Sequence, residues 1–203
     1  MPKIVRSDRG NENSLLSGIQ PYLRHNHNDS LAGDKSFMYG RSTANQRIEA
    51  FWGQLRKSSI QFWMNFFKDM IDEGIYDNSN DIHIDCIRYC FMDLIQNVLG
   101  KTCFEWNHHR IRKQNNEVNT GMPELLYTIP ERFDAENCGL VIDRDEIEIC
   151  KNLYCDEFLN HQNPVFIELI ENLLPNVTQP KNAEEAKALF INMTNILIQN
   201  LNN

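Results

Sequence analysis

IVRSDRGNEN, residues 4–13, and YGRSTANQRIEAFWGQLRKS, residues 39–58, decide how this chain is read. In the first, a short apolar run, Ile4 and Val5, reaches Asp8 and breaks at Gly10, the pattern of a strand that delivers a carboxylate at its end. In the second, Ser42 or Thr43 can cap a helix. Ile48, Phe51, Trp52 and Leu55 recur at helical spacing and give that helix a buried side, while Asn45, Glu49 and Arg56 fall near a common edge. Between the two stretches, Leu15, Leu16, Ile19 and Leu23 make a stripe interrupted by Pro21, which predicts a short, imperfect helix. HNHNDSLAGD (25–34) then reads as a polar, turn-rich loop, and KSFMYG (35–40) as a short final strand.

Working outward, Phe62, Trp63, Phe66, Phe67 and Met70 predict a helix that continues to Asp72 and stops near Gly74. The density of aromatic side chains from Phe51 to Phe67 points to a core or dimer interface before any stacking role. Asn80 or Asp81 opens a long helix through Ile84, Ile87, Phe91, Leu94, Ile95 and Val98 to about Trp106. From about Asp134 three further helices follow, acidic early and apolar along one side, punctuated by Pro164, Pro175 and Pro180. The organisation is therefore residues 1–133 plus an acidic helical appendage, 134–203.

The chain has 203 residues, enough to bury a sizeable core, and no apolar run long enough to span a membrane. MPKIVRSDRG lacks the apolar stretch of a signal peptide, so the six cysteines read as reduced thiols of an intracellular protein. On that reading the sequons at Asn28, Asn176 and Asn192 carry no meaning. The net charge of −8 divides unevenly: 16 basic and 16 acidic residues in 1–133, against 4 basic and 12 acidic in 134–203. Affinity for phosphate would have to come from a local basic face of the first part.

The two opening stretches, together with YCFMDLIQNVL (89–99), WNHHRIR (106–112) and GMPELLY (121–127), resemble the integrase core domain of a eukaryotic transposon-derived family over roughly residues 1–133. Several separate blocks in the expected order make the likeness more specific than one short motif. The resemblance implies an α/β fold: the C-terminal half of an RNase H-like core of D-D-E integrases and transposases, truncated at its start and followed by a mostly helical region. It also implies DNA as partner, a nuclear location, and Mg²⁺ or Mn²⁺ held by two Asp and one Glu, with the second Asp at Asp8 and the Glu at Glu49. No small-molecule cofactor is implied. Two hard cations suit phosphodiester displacement, and carboxylates suit those cations. The first Asp would sit on a strand ahead of Met1, so little catalysis is expected of this chain alone. The same gap would uncover a sheet edge and apolar helix faces, which predicts aggregation or a homo-oligomer.

Each candidate also has a plainer account. Asp8 can simply end a strand by bonding its own turn, and Glu49 can be a solvated helix carboxylate. Arg56 and Lys57 are phosphate contacts or the wet face of a helix. Asn45 and Gln46 touch DNA only by analogy with the wider superfamily. Arg110 and Arg112, in a run that opens with Trp106, either contact phosphate or complement the dipole at a helix end. His83, Cys86 and Cys90 share a helical face, but without a fourth ligand they read as buried groups of an amphipathic helix, not a zinc site. His25 and His27 lie in a loop without the fold that would give them metal chemistry. Besides a DNA-integration protein, the chain fits a non-catalytic interaction protein, or the product of a decaying gene.

Overall fold

The computed structural model describes residues 1–40, 46–112, 120–154 and 163–201, with the side chains of 12, 46, 47 and 201 left aside. These residues form two compact units, each built from two stretches of chain: 1–53 with 106–159, and 54–105 with 160–203. The described chain is mostly helical, and its one sheet has two strands. The α/β expectation is met to that extent.

In the first unit, β1 (Val5–Ser7) and β2 (Phe37–Tyr39) pair in parallel, with Val5 opposite Phe37 and Ser7 opposite Tyr39. A parallel pair cannot be closed by a tight turn and needs a crossover. That crossover is α1 (Ser14–Leu23), in which Pro21 has no N–H to donate to the Ser17 carbonyl, so the helix gives up one bond close to its end. The stripe predicted for α1 is only partly covered: Leu16 is exposed, and the buried residue is Gln20, whose Nε2 donates to the carbonyl of Pro2 at 3.1 Å.

The loop after α1 is organised around a residue that a polar stretch gives no reason to bury. Arg24 is fully buried, and its Nη2 donates to both oxygens of Asp29 at 2.7 and 2.8 Å. Its carbonyl accepts from the backbone of His27 and Gly33. The guanidinium hydrogen bond holds the Asp29 carboxyl below its usual range, helped by the backbone of Leu31 and opposed by desolvation.

The apolar side predicted for α2 (Gln46–Leu55) is a correction. Leu55 is buried and Phe51 half-buried, but Ile48 is 44% and Trp52 52% exposed. A stripe reports which side of a helix is apolar, not that something covers it.

The second unit is a helical bundle. After a π-type turn at Arg56–Ile60 come α3 (Gln61–Asp72) and α4 (Asp81–His108). The chain then returns to the first unit for α5 (Pro123–Thr128) and α6 (Arg144–Tyr154), and the bundle is completed by α7 (Pro164–Leu173) and α8 (Ala183–Leu201). Boundaries follow the local chemistry. Asn80 and Asn163 accept from backbone N–H groups at the starts of α4 and α7. Asn182 and Glu185 cap α8 reciprocally: the Asn182 side chain accepts from the Glu185 backbone, and Glu185 accepts from the Lys181 backbone. Gly74, at φ +70°, turns the chain out of α3 in a conformation that a side chain would strain. The core gathers Trp63, Met70, Cys86, Cys90, Phe91, Phe166, Ile170, Phe190 and Met193.

Phe91 is the centre of this core, fully buried, with its ring 5.1 Å from Phe67, 5.8 Å from Phe66 and 6.1 Å from Trp63. Cys86 and Cys90 are buried beside it, and the Cys90 thiol lies 3.5 Å from the Met193 sulfur. His83 Nδ1 accepts from the Asp77 backbone at 3.1 Å. Cys86 and Cys90 are buried thiols, as the plainer reading had it, and His83 is half-buried.

Phe91→Ala should cost about 3–5 kcal/mol of the bundle's stability, read by urea denaturation. Burial pushes the Cys86 thiol from 9.0 up to about 12 and the Cys90 thiol higher still. In the native protein a maleimide should therefore modify the exposed Cys103 and Cys138 while Cys86 and Cys90 react only on unfolding. Because the unfolded thiols ionise first, stability should fall as pH climbs from about 9 towards 12.

Candidate carboxylate and nucleic-acid site

Asp8 follows β1 directly, at the carboxyl end of the parallel pair. The Gly40 N–H donates to the Ser7 carbonyl at 2.7 Å, so the chain leaving β2 is stitched to the chain about to become Asp8. Asp8 is half-buried, and its Oδ1 accepts from Asn13 Nδ2 at 2.9 Å and from the Gly10 N–H at 3.3 Å. This closes the turn that opens towards α1 and fixes how the carboxylate points.

Glu49 sits in the first turn of α2 and is exposed. A carboxylate there complements the helix dipole. Asn45 lies outside the described residues; Gln46 opens α2, and its side chain is among those left aside. Arg56 and Lys57 belong to the second unit, on the π-type turn, where both are exposed and Arg56 Nε donates to Gln61 Oε1 at 3.3 Å. That turn also carries Ser59, whose hydroxyl meets the Thr102 hydroxyl at 2.8 Å in the interior.

Arg110 and Arg112 are exposed in the first unit, just past the end of α4, at the helix exit where the sequence puts them. α4 stops at His108, and the chain runs on to Ile111, which forms an antiparallel bridge with Gly121 through an N–H···O bond of 2.8 Å. A Cβ at Gly121 would come within 3.0 Å of the Phe133 ring, which accounts for the glycine. Beyond the bridge, α5 carries Glu124, whose Oε2 is 2.9 Å from His108 Nε2. Trp106 packs edge-on against Phe51 of α2, with centroids 5.1 Å apart. The bridge and this aromatic contact join residues far apart in sequence, and only the type of each residue, not its partner, was readable.

Among the described residues no group of three or more His, Cys, Asp and Glu side chains converges to hold a metal. Asp8 and Glu49 are the hard oxygen donors that Mg²⁺ or Mn²⁺ prefers. They do not by themselves amount to a two-metal ligand set. Among the described residues no helix is long and apolar enough to cross a membrane.

A family model described as integrase core domain matches residues 1–129. The chain belongs to the integrase core domain family. The match ends close to the boundary drawn at 133, and every candidate residue of the integrase core lies inside it. Integrase or transposase-related function follows at that level. No curated protein and no solved structure matches the chain.

Asp8→Ala removes an acceptor from two donors of the turn and should destabilise the first unit by about 1–2 kcal/mol, whereas Glu49→Gln, at an exposed position, should stay within about 0.5 kcal/mol. Chemical denaturation of both variants checks the contrast.

Proposed function

We propose that this chain is an integrase- or transposase-derived DNA-binding protein, related to DNA integration, whose residues 1–133 descend from the C-terminal part of an RNase H-like α/β core. The observation that carries the reading is the order strand, helix, strand, helix within the family match, with Asp8 leaving the first strand and Glu49 entering the last helix. Asp8 and Glu49 are the ligand positions inherited from a D-D-E site. Residues 134–203 are an added acidic helical segment, and the substrate gives the protein a nuclear address.

Integrase cores typically use divalent metals for phosphodiester displacement. Asp8 and Glu49 would contribute two of the ligands, and the described residues offer no third to join them. The role proposed for the chain alone is to bind DNA. Arg56, Lys57, Arg110 and Arg112 are the basic side chains assigned to it, with Asn45 and Gln46 beside the site. A second reading, a transposon-derived protein that binds another protein or a second copy of itself, is favoured by one observation: Ile48 and Trp52 stand exposed on the helix of Glu49.

Fluorescence anisotropy with a labelled duplex at low salt separates the two. Reversing the charge of Arg56, Lys57, Arg110 and Arg112 together should abolish DNA binding. DNA binding that survives the reversal would overturn the assignment of these four side chains, and a wild-type chain that ignores DNA would overturn the first reading in favour of the second. A strand-transfer assay with Mn²⁺ is expected to show no product from the chain alone.

A further inference from the structure

We infer that the short antiparallel stem after α4 presents Arg110 and Arg112 as a paired grip on the phosphate backbone of duplex DNA, held in place through Trp106 by the helix that carries Glu49. The inference rests on the proposed DNA-binding function and adds how the contact is built.

At Ile111 the chain is paired with Gly121 as an antiparallel strand would be. Successive side chains of an extended chain face opposite ways. Ile111 is half-buried while Arg110 and Arg112 on either side of it are exposed, the alternation of a strand that puts both arginines on one face. Their Cα atoms are then roughly 6.7 Å apart, two residues of strand rise, which lets two guanidinium groups engage neighbouring phosphates. On a helix the same two residues would diverge by about 200° around the axis. The bridge, not the sequence spacing alone, makes them a pair.

Their surroundings leave them available. Among the described residues neither arginine has a hydrogen bond or an ion pair. Glu124, the acid in the first turn of α5, is taken up by His108 at 2.9 Å. Arginine has the right shape for phosphate, because its planar fork donates two parallel hydrogen bonds to phosphate oxygens. Such contacts fix position on a duplex without reading its sequence, so the grip is expected to be indifferent to base sequence.

Trp106 sets where the stem begins. Its ring lies edge-on to Phe51 at 5.1 Å and beside His109 at 4.9 Å. Phe51 is two residues after Glu49 on α2. Trp106 is thus a positioning residue that ties the stem to the helix of the candidate site.

The test is the salt dependence of duplex binding by the full chain. The pair Arg110→Ala and Arg112→Ala should weaken binding roughly tenfold or more at fixed salt and reduce the slope of log K against log salt by about two, each single change by about one. Lys68→Ala, at an exposed position on α3, is the control and should change neither. Trp106→Ala should lower affinity while leaving the slope, because the charges remain; the arginine pair carries the decision if that variant melts early. If the arginine pair leaves affinity and slope intact while Arg56→Ala with Lys57→Ala abolishes binding, the stem is overturned and the DNA reading stands. If the wild-type chain binds no duplex, or prefers RNA or an acidic polypeptide through the same arginines, the stem as a DNA grip falls along with that reading.

Discussion

Parallel pairing of β1 with β2 is the constraint from which the rest of the first unit follows. It forbids a hairpin, requires a helical crossover, and brings the carboxyl ends of both strands to one edge. At that edge the backbone continues pairing for one more bond, Gly40 to Ser7, and there the chain releases Asp8. Three-residue strands make too few bonds to persist alone. The pair is supported by α1 on its crossover and by the Arg24–Asp29 nucleus in the loop. It is also laced from the far end of the sequence: the backbone of Met1 and Leu140 exchanges two bonds, Asn26 donates to Glu146, and His27 reaches the Val141 carbonyl. Residues beyond the family match thus help hold the matched ones.

That lacing bears on the acidic segment. By contacts, residues 134–159 belong with the first unit, and 160–203 complete the bundle of the second, where Phe166, Ile170, Phe190 and Met193 share a core with Trp63 and Phe91. The change of charge near 133 does not coincide with a boundary between the two units. The consequence for binding is electrostatic. A chain at −8 overall repels a polyanion at long range, so any affinity for DNA has to be local, built from side chains whose charges are not consumed nearby. Screening the long-range repulsion with salt would weaken the local contacts as well, which is why affinity and salt slope have to be read together.

The elements were legible wherever local chemistry sets them. Asn80 starts a helix because its side chain bonds the first free N–H groups, and Gly74 ends one because its φ is positive. Asp8 was legible as a strand-ending carboxylate for the same reason. What could not be read was partnership. Ile48 and Trp52 carry the pattern of a buried face but lack a cover, Arg24 is buried because Asp29 lies five residues on in the folded loop, and the arginines around Ile111 become a pair only through a bond to Gly121. Each depends on a contact between distant or differently ordered residues that periodicity does not encode.

Asp8 illustrates how the modest and the functional account of one residue can be the same geometry. Its bonds from Gly10 and Asn13 are what any turn-closing aspartate makes, and they explain the residue without a metal. A carboxylate that must ligate a cation also needs outer partners to hold its orientation, since an unrestrained side chain would lose affinity to its own rotamer freedom. Both donors here fall on Oδ1, so the turn that stabilises the strand end also fixes where Oδ2 points. The turn therefore does not compete with an inherited ligand role. It is the local structure from which such a role can be built.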